Sequence, residues 1–195
     1  IASGDFSMAL GSYVSTNGHQ GSLVIGDFSP EPGFAINATL DNEFSTRFLG
    51  GYRFYTTNVE GRFLGVALRP GDNAWGTVSD STKKAAFVKI DGEDLLKKLE
   101  GFTSLGSWSY KGQDPKSFRH YGPMAQDFHH AFGNGGIGNS ATETLINSAD
   151  LRGILFIASH ALVQRTNEMT RKTVLQQDAV DRLAAENQQL RSENK

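Results

Sequence analysis

Ser79 and Lys84, five residues apart in Val78-Ser79-Asp80-Ser81-Thr82-Lys83-Lys84, are the residues whose types can do covalent chemistry. A serine hydroxyl is a weak nucleophile until a base takes its proton. A lysine can be that base once its amine is neutral, which burial or a neighbouring cation favours. Lys83, beside Lys84, supplies such a like charge. An offset of five does not place two side chains on one helix face. The pair therefore needs a turn or a bulged strand, and residues 77–82 are turn-rich. On spacing alone, a surface loop with two solvated lysines is the favoured reading.

The elements that must position this pair fall into three stretches. In the first, Gly4-Asp5-Phe6-Ser7-Met8-Ala9-Leu10-Gly11 is echoed by Gly18-His19-Gln20-Gly21-Ser22-Leu23-Val24-Ile25-Gly26. Each copy runs from Ser through a three-residue apolar strand to Gly. A unit that short cannot bury its own face and must stack on copies of itself or on neighbouring chains. Next, residues 34–39, 44–49, 51–57, 61–68 and 74–78 read as short strands punctuated by Pro30, Pro32, Gly50-Gly51 and Pro70-Gly71.

From Ser79 the composition changes. Val88-Lys89-Ile90 reads as a short strand, and Asp91 caps a helix through Leu95, Leu96 and Leu99 that Gly101 closes. Ser107-Trp108-Ser109-Tyr110 alternates as a strand. Pro123 suits the first turn of a second helix with Met124, Phe128 and Phe132 on one face and Gly133 after its end. The last stretch is a long helix. One heptad frame has Leu155, Leu162, Met169, Gln176, Leu183 and Leu190 at d, with Ser159, Thr166, Thr173, Val180, Asn187 and Asn194 at a. So narrow a stripe on so long a helix implies a coiled coil over about 151–195, with polar a positions that fix register at a cost in stability.

Composition excludes several function classes. The 19 basic and 21 acidic residues are mixed along the chain, for a net charge of -2, so no basic face for nucleic acid is expected. Zero cysteines rule out disulfides and zinc-thiolate sites. His129 and His130 adjoin on a helix and point apart, with His160 remote, so neither a metal site nor any other cofactor is expected. No apolar run approaches the roughly 20 residues of a membrane span, so no membrane insertion is expected. The chain opens on Ile1 and reads as the C-terminal fragment of something longer.

Other motifs fail on context. Gly133-Asn134-Gly135-Gly136-Ile137-Gly138 spells a dinucleotide fingerprint but follows a helix instead of a strand. Ser81-Thr82-Lys83-Lys84 matches S-x-x-K without the S-D-N and K-T-G partners. Asn37-Ala38-Thr39 is a glycosylation sequon only in a eukaryotic secreted protein.

The stretch from Ser79 resembles the C-terminal intramolecular chaperone domain of phage tailspikes, tail fibres and endosialidases. This is a self-cleaving Ser-Lys peptidase family whose eukaryotic relative is the myelin regulatory factor. The resemblance runs through Ser79-Asp80 and Lys84, Ile90-Asp91-Gly92-Glu93, Trp108-Ser109-Tyr110-Lys111 and His120-Tyr121-Gly122-Pro123-Met124-Ala125-Gln126-Asp127-Phe128. It ends at Ser148-Ala149-Asp150-Leu151-Arg152-Gly153-Ile154. It implies Ser79 as nucleophile, Lys84 as general base and Val78-Ser79 as the scissile bond. His120 is implied in a supporting role, as oxyanion donor or in orienting the pair, with Asp80 and Asp127 as further supporting candidates. Two positions depart from the family pattern. Lys83 stands where an aliphatic residue or arginine is common, and Asp80 is not followed by arginine. The repeat at residues 1–27 resembles the head repeats of trimeric autotransporter adhesins, which form a left-handed β-roll.

The resulting expectation is an α+β fragment. A β-rich trimeric stalk or head spans 1–78, and an auto-processing chaperone domain spans 79–195 and ends in the coiled coil. The implied partners are two further copies, in a homotrimer, and the chain's own upstream part as substrate and folding client. The implied location is a virion tail fibre, or the host cytoplasm during its assembly, or a bacterial surface. The rival expectation is a structural trimeric adhesin or fibre tip that never cleaves. A membrane-tethered regulator like the myelin relative would need a DNA-binding part upstream.

Overall fold

The computed structural model describes residues 1–28, 34–57, 64–133 and 142–194, and the chain divides into two compact units, Ile1–Ala86 and Phe87–Lys195. The fold is α+β. In the first unit the repeat becomes a coil of parallel strands. Strands β1 (Met8–Gly11), β3 (Leu23–Gly26) and β5 (Phe44–Arg47) pair in parallel, Met8 opposite Leu23 and Leu23 opposite Phe44. The short strands β2 (Val14–Ser15) and β4 (Ile36–Asn37) pair in parallel on the return path. Parallel neighbours usually need a long crossover. Here the crossover is the short strand and its turn, which is what a stacked repeat provides.

Alternation along β3 explains both faces of this coil. Val24 points inward and is fully buried with Val14 and Ala38. Met8, Leu10 and Phe44 stand outward and remain largely exposed. The glycines that end each copy, Gly11 and Gly26, are opposite one another in the ladder. Gly11 has φ of 101°, and a Cβ there would sit 1.9 Å from the Gly26 carbonyl oxygen, so the corner admits no side chain. Thr16, fully buried, closes the inside: its Oγ1 accepts from Ser3 N at 2.9 Å and lies 3.0 Å from Ser7 Oγ.

The turn before β5 is tied by one carboxylate. Glu43 accepts from the Thr39 amide at 2.6 Å, the Thr39 hydroxyl at 2.9 Å and the Leu40 amide at 2.9 Å, and also from the Ser45 hydroxyl. Led by the Ser45 contact, these donors hold its carboxyl down to about 2. An antiparallel meander follows, β6 (Tyr52–Tyr55), β7 (Gly65–Leu68) and β8 (Gly76–Thr77), in that spatial order. Pro30, Pro32 and the first part of the strand expected at 61–68 lie outside the described residues.

In the second unit, Asp91 caps α1 (Gly92–Glu100) by accepting from Glu93 N at 2.8 Å and Asp94 N at 3.1 Å, and Gly101 ends it. Helix α2 (Ala125–Phe132) and the start of α3 (Ser148–Glu193) pack on α1 around Leu95, Phe128, Phe132, Ile154 and Ala158. Gly92 fits beneath Ala161, where an added Cβ would come within 2.6 Å of the alanine methyl. Arg165 on α3 pairs with Glu93 in the first turn of α1. A hairpin, β9 (Gly106–Trp108) with β10 (His120–Gly122), lies between α1 and α2.

Two local expectations are corrected. Residues 88–90 form no strand, with Phe87 and Val88 exposed, since among the described residues no strand pairs with them. Pro123 precedes the N-cap Met124 instead of entering the first turn, and the Met124 amide is taken by Ser104 Oγ at 3.1 Å. That leaves Met124 partly exposed while Phe128 and Phe132 are buried. Only Gly133 of the glycine-rich motif is described; residues 134–138 lie outside the described residues.

Helix α3 has 46 residues, about 69 Å at 1.5 Å per residue. Its first turns bury Ile154, Ala158 and Ala161, a different stripe from the d positions Leu155 and Leu162. From Leu162 to Asn194 every residue except Ala179 is exposed, the heptad residues Met169, Val180, Leu183 and Leu190 included. Among the described residues no helix is long and apolar enough to cross a membrane.

Candidate active site

Strand β8 ends at Thr77, and the chain leaves the sheet through Val78, which is exposed. Asp80 is extended (φ -72°, ψ 126°), residues Ser81–Lys83 make one 3-10 turn, and Lys84 is extended again (φ -108°, ψ 146°). This extended-turn-extended path folds the chain back on itself. Lys84 Nζ donates to Ser79 Oγ at 2.9 Å, a contact no regular helix allows at this spacing. The turn is built locally: Lys83 N donates to the Asp80 carbonyl at 3.1 Å and Lys84 N to that of Ser81 at 3.2 Å. Asp80 Oδ1 accepts from Thr82 N at 2.9 Å. The Thr82 amide, then its hydroxyl and the Lys83 charge, hold the Asp80 carboxyl below its ordinary range. Asp80 thus shapes the turn that joins the Ser79 hydroxyl and the Lys84 amine. Ser79 and Lys84 are both exposed and lie in the first unit.

His120 belongs to the second unit and sits on the β9–β10 hairpin opposite Trp108. Its ring stacks on Trp108, with centroids 4.9 Å apart, and meets Tyr110 edge-on at 5.1 Å. Gln113 Oε1 accepts from the Tyr110 amide at 2.9 Å and lies 3.1 Å from His120 Nε2. An oxygen already accepting from an amide leaves Nε2 as the donor, so the tautomer is Nε2–H and Nδ1 is the ring nitrogen free to act. Trp108 Nε1 is buried without a hydrogen-bond partner among the described residues.

Asp127 is a scaffold residue. Its Oδ2 accepts from Thr103 N at 3.0 Å, Ser104 N at 2.9 Å and Ser104 Oγ at 2.6 Å. These donors, Ser104 first, hold its carboxyl below the ordinary range. The arrangement fixes the loop after α1 to the first turn of α2. Gln113 and Ser104 are not foreseen from the sequence, and Trp108 reads there only as a strand and motif residue, with no part in seating His120. Alternation puts Trp108 and Tyr110 on one strand face, a signal that would have suggested an aromatic seat. Ser104 and Gln113 have no sequence signal, because their partners arrive from other elements.

Chemically, the 79–84 turn holds a hydroxyl, an amine and an adjacent peptide bond within one short loop. Among the described residues no group of three His, Asp or Glu side chains converges to hold a metal ion. No curated protein and no solved structure matches the chain. Residues 79–137 match a family model described as the chaperone of endosialidase, and residues 1–78 fall outside that match. Residues 79–137 are thus similar to the chaperone of endosialidase, and residues 138–195 also fall outside the match.

Proposed function

We propose that this chain is the end of a trimeric fibre that folds with the help of its own C-terminal part and then releases that part by cutting Val78-Ser79. The observation that carries the reading is the 2.9 Å contact between Lys84 Nζ and Ser79 Oγ, one residue beyond the bond to be cut. In the cutting step the neutral Lys84 amine takes the Ser79 proton, and Oγ attacks the Val78 carbonyl carbon. The C–N bond breaks, the Ser79 nitrogen leaves as a free amine carrying a proton, and Val78 is held as an ester. Water then hydrolyses the ester to a Val78 carboxylate and restores the hydroxyl. Placing hydroxyl and carbonyl on adjacent residues gives a high effective molarity, sufficient for a single turnover.

The chaperone role has its own support in the family match. Long-range β pairing among three chains is slow and prone to register errors. Three copies of α3 joined along Leu162, Met169, Leu183 and Leu190, all half or more exposed in one chain except Leu162 at 49%, would raise the local concentration of the stalks and fix their register. The outward Met8, Leu10 and Phe44 of the coil offer a second apolar surface for the same assembly. Cutting afterwards removes the element that guided folding, so persistence of the stalk becomes kinetic. The site of action is a phage tail fibre under assembly.

A denaturing gel with mass spectrometry of assembled protein tests this. The expected products end at Val78 and begin at Ser79, and Ser79→Ala leaves one band with the assembly intact. A single uncut band from the unmodified assembled protein overturns the reading and leaves a structural adhesin.

A further inference from the structure

The face of the β6–β7–β8 meander that carries Val78 holds a trough of about 630 Å³. The strand register explains it. Arg53, Ala67 and Gly76 lie in one row across the sheet, and Tyr55 faces Gly65 in the next. Side chains alternate along a strand, so Val78, two residues past Gly76, projects to the same face, as does Arg69, two past Ala67. Small residues at 65, 67 and 76 leave the floor open, and Arg53, Tyr55, Arg69 and Val78 stand around it. The opposite face is filled instead by Tyr52, Phe54 and Trp75, whose rings touch.

Two guanidinium groups border this trough, and among the described residues neither makes an ion pair or hydrogen bond. The acid at the rim, Asp72, accepts the Arg69 backbone amide at 3.3 Å and caps the turn after β7. Gly65 is obligatory here, since a Cβ would sit 1.9 Å from the Phe54 carbonyl oxygen. Gly76 is not: its Cβ would meet nothing closer than 3.6 Å, so its side is open by composition and not by constraint.

We propose that this trough receives the carboxylate that cleavage creates on Val78, with Arg53 and Arg69 as its cationic partners. The inference rests on the cleavage reading. Before the cut Val78 carries a neutral peptide carbonyl; afterwards it carries a full negative charge on a free chain end beside two unpaired cations. Arg53 is two strand spacings, about 10 Å, from β8, a span its long side chain covers most of. Guanidinium and carboxylate match as a bidentate pair. The new end is thereby seated on the sheet, away from the Ser79 amine that would be needed to reform the bond.

The test uses the full chain, assembled and shown by mass spectrometry to be cut at Val78-Ser79. Cut protein is exposed to a carboxypeptidase at neutral pH and the release of Val78 is timed. Against the unmodified protein, the double variant Arg53→Gln, Arg69→Gln is expected to lose Val78 about three- to tenfold faster, the scale of two exposed ion pairs. Gly76→Val keeps both arginines but fills the floor, and is expected to do the same. Equal release rates in all three cut proteins overturn the inference alone. An uncut unmodified chain overturns the cleavage reading and the inference with it.

Discussion

Replacing Lys84 by arginine separates a base from a mere cation. Arginine keeps the positive charge and the capacity to donate to Ser79 Oγ, but it does not give up its proton at any pH a protein survives. The 2.9 Å separation of Nζ and Oγ already falls within the 2.6–3.2 Å reach of proton transfer. General-base assistance is worth about 10²–10⁴ in rate, so Lys84→Arg is expected to slow cleavage by that factor. Lys84→Ala should slow it to a similar extent, because both variants lack the base. The assay is the fraction of chain cut at Val78-Ser79 against time, by intact mass, on protein whose assembly is verified by sedimentation. A Lys84→Arg protein that cuts within tenfold of the unmodified rate would refute the assignment, leaving Lys84 as an electrostatic partner of the Val78 oxyanion.

Two further outcomes follow from the packing and the charges. Leu95 is fully buried among Phe128, Phe132, Ile154 and Ala158, so Leu95→Ala should destabilise the second unit by about 2–5 kcal/mol, read as a lower urea midpoint at unchanged slope. A loss below 1 kcal/mol would mean that this cluster is not the core. Glu43 is held down to about 2 from an ordinary 4.5, so its ionised form is favoured in the folded coil. Its contribution is complete above pH 4.5 and is lost as pH falls through 2. Glu43→Gln should therefore lower stability at neutral pH and flatten the pH dependence between those values, followed by circular dichroism.

What could be read from residues alone follows the range of the forces involved. The Ser-apolar-Gly repeat announced stacked strands because each copy ends on a glycine that the corner requires, as at Gly11. The cap at Asp91 and the stop at Gly101 depend on neighbours two or three residues away, and both appear where local chemistry puts them. The heptad stripe of α3 is visible for the same reason. Non-local partners were hidden. Residues 88–90 have strand composition and no strand to pair with, and β10 is a strand only because β9 lies beside it. The second, buried stripe at Ile154, Ala158 and Ala161 depends on where α1 docks, which no periodicity in α3 reveals. The contact of Ser79 with Lys84 hangs on one 3-10 turn, and the sequence pointed to a turn without specifying its path.

The exposure of the pair gives the proposed cut its timing. In a single chain Lys84 donates to Ser79 in open water, and only an amine that has given up a proton can act as a base. The contact supplies proximity without the dehydration that would favour the neutral amine. Helix α3 and the outward face of the coil are likewise uncovered in one chain. If assembly is what strips water from the loop at 79–84, then proximity is built into each protomer and dehydration arrives only with the partners. On the proposed reading, a dyad arranged this way stays silent until three chains have met and register has been set. That order is the useful one, since a cut made earlier would detach α3 before it had aligned anything. The exposed pair is then a feature of the design, and monomeric chain held below its assembly concentration should remain whole.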